Sequence, residues 1–364
     1  MAFRLRRVLA AGSALTLLAG FAPAASAQSV AEKLYAELAG LPQAQRTERL
    51  VEGAKKEGAL SYIQTVTGLT GARHGDIFAK KYPFLKIDQT TSMGSQDGAS
   101  RVVQEERAGK HITDALSNAI PDLAEIRAGK LAAVYKTPMT ARILPQYKNM
   151  LDPESRWTPW YWSEHGIAYN SKVIKGDEIP HSWNDLCNPK LKAQVSYDPG
   201  ETRFLAGLYS IFDQKVEKAE DLLKCIGKNE PIIQQGHSAR MQLMLAGDHG
   251  VGGDQYLYFG ESLRRKAPDK NPFVAAFDIP VMAYAAGVTI NANAPHPYAA
   301  ALLTDWMLED DSQKYMADLL RGPLAIAHPY IPDTATLVSF GIVDKNITDK
   351  LHETWNTFVS RQRH

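Results

Sequence analysis

Short stretches in which hydrophobic and polar residues alternate recur along the first third of the chain, and longer amphipathic segments separate them. Alternation with a period of two is typical of β-strands, whereas apolar residues three or four positions apart are typical of helices. This strand–loop–helix order predicts a parallel β-sheet covered by helices. The predicted strands are residues 59–65, 85–91 and 114–118, and the predicted helices are residues 30–55, a segment ending at 78, residues 99–108 and a segment opening at 120.

The middle of the chain has a different composition, because residues 144–163 contain three prolines and three tryptophans. We interpret this segment as a connector, and a strand at residues 166–170 then opens a second α/β series. The predicted architecture is therefore two α/β lobes joined by a hinge. Lobe 1 combines residues 50–165 and 280–332, lobe 2 spans residues 166–279, and residues 333–364 form a tail with a short helix at 350–359 that packs on the body. The second series comprises residues 182–186, 193–197, 202–212, 218–226, 232–236, 238–246 and 250–254.

The first 27 residues have the parts of a secretory signal peptide. Three arginines precede an apolar run at residues 8–18, and Ala25-Ser26-Ala27 is a cleavage site of the A-x-A type. The arginine pair at positions 6 and 7 also permits the twin-arginine route, but no Ser or Thr precedes it, so ordinary secretion is favoured. No lipobox cysteine follows, and no later apolar run reaches the roughly 18 residues of a membrane span. A soluble periplasmic protein is expected.

The net charge of the chain argues against polyanionic partners. Cleavage before Gln28 would leave 38 basic and 40 acidic residues, since the signal peptide holds three arginines and no acidic residue. A nearly neutral chain has no electrostatic footprint for nucleic acid or for an anionic membrane. The apolar content of 45% is ordinary for a globular protein with a full core.

Two cysteines, Cys187 and Cys225, remain after cleavage. In an oxidising compartment they could form one disulfide, and the alternative is two separate buried thiols. The sequence leaves both open, because it cannot place the two Cα atoms at bonding distance.

Motifs of catalysis are missing from the sequence. The segment Gly236-His-Ser-Ala-Arg240 lacks the second glycine of a nucleophile elbow. No H-E-x-x-H, Walker A or strand-linked G-x-G-x-x-G motif is found. We therefore expect no enzymatic activity and no cofactor, with a secreted hydrolase as the alternative from another class.

Four segments carry a family resemblance. Residues 51–59 (VEGAKKEGA) before a strand, residues 105–114 (EERAGKHITD), residues 167–192 with their A-Y-N and P-x-S-W-x-D-L motifs, and residues 294–313 (APHPYAA … Q) occur in the family's order. Together they resemble the extracellular solute-binding proteins of ABC importers, in the group that binds ferric iron, thiamine, phosphonates and sugar phosphates. The resemblance implies a type II periplasmic-binding-protein fold. It also implies a small-molecule solute, an ABC permease in the inner membrane as partner, and a monomer.

In such two-lobed proteins a solute lies between the lobes, against strand ends and helix N-termini that favour anions. The candidate binding residues are therefore the polar residues that follow the predicted strands. An alternative for each Ser, Thr or Asp is helix capping alone, and the arginines could instead form surface ion pairs. The candidates are Thr65, Thr67, Ser92, Gly94, Ser117 and Asn118 in lobe 1, and Tyr197, Thr202, Arg203, Ser238, Arg240, Asp254 and Tyr256 in lobe 2.

Ferric iron is the alternative ligand within the family, whose iron binders use adjacent tyrosines after a strand of the second lobe. Here Tyr256 is retained, Leu257 takes the neighbouring place, and Tyr258 is displaced by one position. Fe³⁺ needs several anionic oxygens, so this pattern disfavours iron. An organic solute, more specifically an anionic one, is preferred, and no metal is expected.

Two further aromatic and polar features have structural explanations. The tryptophans at positions 157, 160 and 162 could offer a stacking wall for a solute, but hinge packing is favoured. His296 lies between two prolines at the start of an alanine-rich helix, where Pro297 suits the first helical position. We interpret His296 as a cap or loop residue and not as a ligand.

Overall fold

The structure is a computed structural model that describes residues 29–65, 73–90, 94–200 and 202–360. The predicted signal peptide and the candidates Thr67 and Ser92 lie outside the described residues. The helices are α1 (Val30–Ala39), α2 (Gln43–Glu57), α3 (His74–Lys81), α4 (Ser95–Arg107), α5 (Ala124–Ala128), α6 (Thr202–Ile211), α7 (Val216–Lys228), α8 (His237–Ala246), α9 (Leu257–Lys266), α10 (Pro297–Trp306), α11 (Asp310–Asp318) and α12 (Lys345–Phe358). The strands are β1 (Ala59–Gln64), β2 (Lys86–Thr90), β3 (Ala115–Ala119), β4 (Thr158–Asn170), β5 (Val195–Tyr197), β6 (Ile232–Ile233), β7 (Val251–Gln255), β8 (Phe273–Ala275), β9 (Val281–Ile290), β10 (Gly322–Pro323) and β11 (Leu337–Phe340).

The helical stretch predicted at residues 30–55 is two helices, α1 and α2. Ser29 and Glu32 form a capping box that starts α1, and Gly40 ends it. Pro42 is the N-cap residue of α2, and it separates the two helices because proline cannot donate the backbone hydrogen bond that a continuous helix would need there. Gly58 ends α2 with a left-handed backbone (φ 68°) that favours glycine, and β1 follows at once.

The sheet is mixed and not purely parallel. Its strand order is β2-β1-β3-β9-β4-β7-β5-β6. β1 pairs in parallel with β2 and β3, and β5 pairs in parallel with β6 and β7, as predicted. However, β9 runs antiparallel to both β3 and β4. β8 already runs antiparallel to β4, and β9 continues in the same direction along β4 after residues 276–280.

The predicted connector at residues 144–163 extends too far toward the C-terminus, because β4 already begins at Thr158. This strand is buried along almost its whole length and therefore lacks the polar alternation of a half-exposed strand. Pro159 is tolerated beside a register shift in the pairing of β4 with β9. Trp160 and Trp162 are fully buried in the core, so neither forms a stacking wall for a solute.

The two largest clusters of buried apolar side chains form separate cores toward the two ends of the mixed sheet. One core draws on residues 31–162 and 283–331, and another draws mainly on residues 167–282 and 340–359. β4 and β9 contribute to both cores and are the long strands that connect them. We infer that each core marks one lobe and that the boundary crosses β4 near residues 163–167.

The C-terminal helix α12 begins at Lys345, five residues before its predicted start. Trp355 is buried in the second core, where its ring contacts Tyr197 and Phe204 edge-on. Lys350 Nζ lies 2.9 Å from Glu220 Oε2 of α7. The tail therefore packs on the second core. None of the helices in the described part of the chain combines the length and apolar character needed to cross a bilayer.

His296 has the structural place that the sequence indicates. It is the N-cap residue of α10, and its backbone N–H donates to Asp114 Oδ1 over 2.7 Å. Its Nδ1 lies 2.8 Å from Asp114 Oδ2, and the same carboxylate accepts the N–H of Ser61 in β1. The residue thus connects α10 to the first strands of the sheet, and its predicted position as a cap residue is confirmed.

Cys187 and Cys225 form a disulfide, with their Cα atoms 5.6 Å apart. The alternative of two separate thiols is therefore wrong. The bond joins the turn Trp183–Cys187 to α7 and closes a loop with a sequence separation of 38 residues.

Removal of this disulfide is expected to destabilise the second core. Replacing both cysteines with serine should lower the free energy of unfolding by about 2–4 kcal/mol, because the crosslink limits the unfolded chain. Guanidinium-induced unfolding, with and without dithiothreitol, measures the change. Dithiothreitol should lower the midpoint of the wild type and leave that of the double variant unchanged, and equal midpoints for both proteins under oxidising conditions would contradict the expectation.

Candidate functional site

Four tyrosines and two arginines meet where the two cores adjoin, and we call them the tyrosine–arginine cluster. Two long strands, the starts of two helices and the residue before a short strand supply its members, so residues distant in the sequence converge. The members are Tyr161 on β4, Tyr284 on β9, Tyr256 and Tyr258 at the start of α9, Arg203 in α6 and Arg321 immediately before β10.

The pairing of β4 with β9 places the two strand tyrosines on one face. Tyr161 pairs with Ala286 and Ser163 pairs with Tyr284. Because side chains alternate between faces along a strand, Tyr161, Ser163 and Tyr284 share a face. Ala119, the last residue of β3, also pairs with Ala286. The cluster therefore lies beside the carboxyl end of β3, the edge at which an α/β sheet binds its ligands.

Tyr256 and Tyr284 are joined through their hydroxyl groups, which lie 3.0 Å apart. Arg203 Nη1 donates to the Tyr284 hydroxyl over 3.4 Å, and its guanidinium lies 5.3 Å from the centre of the Tyr284 ring. These contacts connect α6, α9 and β9. They form a surface of hydroxyl and guanidinium donors on the side of the second core.

Arg321 supplies the second positive charge of the cluster. Its guanidinium stacks 3.6 Å from the centre of the Tyr258 ring and donates to Ser163 Oγ over 3.0 Å. Burial disfavours the charge, but attraction to the neighbouring tyrosines outweighs it and raises the pKa of Arg321 above its ordinary value. The side chain is thus a fixed cation, held between β4 and α9.

Glu164 connects the same two elements. Its Oε1 accepts the N–H of Tyr258 over 2.8 Å and also accepts the hydroxyl proton of Tyr330. Burial raises the pKa of the Glu164 carboxyl. The carboxyl thus holds the start of α9 and Tyr330 beside β4.

A network of buried polar side chains lies beneath Tyr256. His165 Nδ1 is 2.5 Å from Asp254 Oδ1, and Arg240 Nη2 donates to the backbone carbonyl of Asp254 over 2.6 Å. Arg240 Nη2 also lies 2.8 Å from His237 Nδ1. His165, Asp254 and Arg240 are all fully buried. The predicted residues Arg240 and Asp254 therefore stand behind the cluster surface and not on it.

The lobe 1 candidates form a hydrogen-bonded group of their own at the ends of β1 and β3. Thr65 Oγ1 lies 3.1 Å from both the Ser117 carbonyl and Asn118 Oδ1. Asn118 Nδ2 donates to the Ser95 carbonyl, and Ser117 Oγ accepts from Trp160 Nε1 over 2.9 Å. Gly94 is the N-cap residue of α4, so this group lies beside a helix N-terminus.

Residues 129–336 match the family described as bacterial extracellular solute-binding protein. The chain belongs to this family. The match spans more than half of the chain and includes the tyrosine–arginine cluster. A search of curated protein sequences gives no match to this solute-binding protein.

Solved structures of periplasmic binding proteins share the fold of this solute-binding protein. Iron-bound HitA from Pseudomonas aeruginosa is 17% identical, covers 83% of this chain and 99% of its own, and has a TM-score of 0.67. Spermidine/putrescine-binding PotD from Streptococcus pneumoniae is 15% identical over 82% and 98%, with a TM-score of 0.64. AfuA from Actinobacillus pleuropneumoniae, with fructose-6-phosphate bound, is 18% identical over 83% and 98%, with a TM-score of 0.62. The α/β class and the type II periplasmic-binding fold are confirmed.

The structure brings only part of the predicted lobe 2 set together. Arg203 and Tyr256 are in the cluster, as is Tyr258, the second tyrosine considered for iron. Tyr197 is instead fully buried in the second core, where its ring packs against Phe204. The remaining candidates are Ser238, which is exposed near the start of α8, and Thr202, which begins α6 and whose side chain is outside the described structure.

Sequence reasoning missed Tyr161, Tyr284 and Arg321 in this solute-binding protein. Tyr161 lies in the segment interpreted as a connector, and Arg321 follows a helix and not a strand. A signal for Tyr284 was present, because it is a single large side chain with a hydroxyl group inside the alanine-rich run of β9. A buried polar group among apolar strand residues indicates a hydrogen-bond partner or a ligand.

Proposed function

We propose that this solute-binding protein captures a small anionic organic solute between its two lobes in the periplasm and delivers it, as a monomer, to an ABC permease in the inner membrane. The proposal is carried by one observation, the pair of arginines set among tyrosine hydroxyls where the cores adjoin. Guanidinium groups recognise carboxylates and phosphates through paired, charge-assisted hydrogen bonds. No catalytic step is proposed.

The surroundings of the cluster support an anion. Two buried carboxyl groups adjoin it, and both are already hydrogen-bonded: Glu164 accepts from Tyr258 and Tyr330, and Asp254 contacts His165. Burial also disfavours the charged form of Glu164. These carboxyl groups therefore already have hydrogen-bond partners, and the two guanidinium groups of the cluster match the chemistry of an anionic solute.

The positions of the charges support closure around the solute. Arg203 and Tyr256 lie in the lobe 2 segment, whereas Tyr161 and Arg321 lie in the segments assigned to lobe 1. A solute that contacts both sets binds the closed arrangement more tightly than an open one. Its differential affinity for the two states is what shifts the population toward closure.

Ferric iron is the second candidate, because four tyrosines meet in the cluster and not only Tyr256 and Tyr258. Two observations make iron a less favourable ligand than an anion. Arg203 and Arg321 would repel a trivalent cation, and burial raises the pKa of Tyr161 above its ordinary value, which disfavours the phenolate that iron would need.

A thermal-shift screen of ligand-stripped protein tests the proposal. The panel contains sugar phosphates, phosphonates, carboxylates, thiamine and Fe³⁺. A solute at one hundred times its Kd adds about 2.7 kcal/mol to the free energy of unfolding, which corresponds to a rise of roughly 4 °C in Tm. At least one phosphate, phosphonate or carboxylate should give this rise, and solution scattering of the same complex should show a smaller radius of gyration.

Other outcomes would contradict the proposal of an anionic solute. A coloured iron complex with a larger shift than any anion would establish the second candidate instead. Stabilisation by thiamine alone, or turnover of any panel member by the purified protein, would overturn the anionic binding proposal.

A further inference from the structure

The ring of Tyr256 is enclosed by two imidazoles. The His165 ring lies 4.2 Å from the Tyr256 ring, centre to centre, at an interplanar angle of 64°. The His237 ring lies 4.3 Å away at 58°, and the two imidazoles are 5.6 Å from each other. We call His165 and His237 the histidine clamp. Such tilted, close aromatic contacts are favourable and restrict rotation of the enclosed ring.

Each histidine of the clamp contacts a buried charged residue, Asp254 for His165 and Arg240 for His237. A carboxylate only accepts hydrogen bonds, so the 2.5 Å contact with Asp254 places a proton on His165 Nδ1. A guanidinium only donates, so the 2.8 Å contact with Arg240 makes His237 Nδ1 an acceptor. Arg240 in turn donates to the carbonyl of Asp254. The orientation of each imidazole is thus set by a buried charged residue. The contacts connect His165 to His237 through Asp254 and Arg240, and both imidazoles pack against the Tyr256 ring.

We propose that the histidine clamp, with Asp254 and Arg240 behind it, is a set of positioning residues for Tyr256. The clamp holds the phenol ring so that its hydroxyl stays 3.0 Å from that of Tyr284 before any solute arrives. This inference rests on the proposed function only in its final step, the effect on affinity. A binding group that is already ordered loses less freedom when the solute binds, which strengthens binding.

The first test needs no solute. Protein carrying ¹³C-labelled tyrosine rings is observed by NMR, and the Tyr256 signals are assigned from the Tyr256→Phe variant. We expect His237→Ala to accelerate flipping of the Tyr256 ring at least about tenfold, because one of its two imidazole contacts is lost while the Tyr258 ring, 5.4 Å away centre to centre, stays in place. His237→Phe keeps an aromatic wall and should restore slow flipping.

Two controls separate positioning from general loosening. Tyr135 is buried in the first core, so its flip rate should be unchanged in His237→Ala. His181→Ala removes an exposed imidazole that contacts Asp278 and should leave Tyr256 unchanged. The proposal is overturned if Tyr256 flips equally fast in His237→Ala and the wild type, or if Tyr135 accelerates together with it.

The second test measures affinity for the panel anion that stabilises the protein most. His237→Ala should weaken binding by about five- to tenfold in the wild type and by less than twofold in Tyr256→Phe, because the clamp acts through that ring. An equal loss in both backgrounds would overturn the proposal. If no anion binds while the Tyr256 ring still accelerates in His237→Ala, the anionic function fails and the positioning role stands.

Discussion

Replacing Arg203 and Arg321 together with glutamine is expected to abolish the stabilisation that an anionic solute gives to this protein. Loss of one charged partner from a desolvated pair costs about 2–5 kcal/mol, so each substitution should weaken binding at least about 30-fold. Glutamine can still donate to Ser163 or to Tyr284, which limits damage to the fold. Isothermal titration calorimetry with the tightest-binding anion of the screen measures the change.

A matched charge control is available on the surface. Arg142 contacts Asp310 and Arg264 contacts Glu261, and both arginines are exposed. The double variant Arg142→Gln/Arg264→Gln loses the same net charge without touching the cluster, and it should bind within about twofold of the wild type. Equal weakening in both double variants would show that overall charge attracts the solute. Unchanged binding in the cluster variant would remove the two arginines from the site.

The sequence predicts the local elements of this fold well and its long-range pairing poorly. β1, β2 and β3 lie within one residue of their predicted ends, because Gly-rich and Pro-rich turns bracket them. β4 was misplaced because it is buried on both faces, and its Trp-rich start has no alternation to detect. The antiparallel direction of β9 is already set by the path on which the chain enters β8, which also runs antiparallel to β4, and periodicity within a single strand does not encode that path.

The site residues also divide into those that local sequence patterns select and those that only long-range packing brings together. Arg203 and Tyr256 follow predicted strands, and the rule that ligands lie at strand ends selected them. That rule also selected Tyr197, whose side chain the short strand β5 turns into the core. Arg321 and Tyr161 join the cluster through register and tertiary packing, so no local pattern distinguishes them from ordinary core and loop residues.

His74 makes this protein sensitive to acid in a way that the sequence does not reveal. The imidazole is fully buried against Trp160 and Trp306, and burial lowers its pKa from 6.5 to about 3. The Ser312 hydroxyl donates to the Met307 carbonyl, so its oxygen accepts from His74 Nε2. Protonation would then fall on Nδ1, a buried atom with no hydrogen-bond partner among the described residues.

The unfolded chain takes up this proton near pH 6.5 and the folded protein only near pH 3, so stability must fall as the pH drops through that interval. One pKa unit corresponds to about 1.4 kcal/mol, so His74 alone should cost about 2 kcal/mol by pH 5 and about 4–5 kcal/mol by pH 3. Urea unfolding at a series of pH values measures the slope. His74→Phe keeps a ring among the neighbouring aromatics and should flatten that slope, whereas His181→Phe, at an exposed position, should not. Parallel slopes for the wild type and His74→Phe would mean that His74 titrates normally in the folded protein.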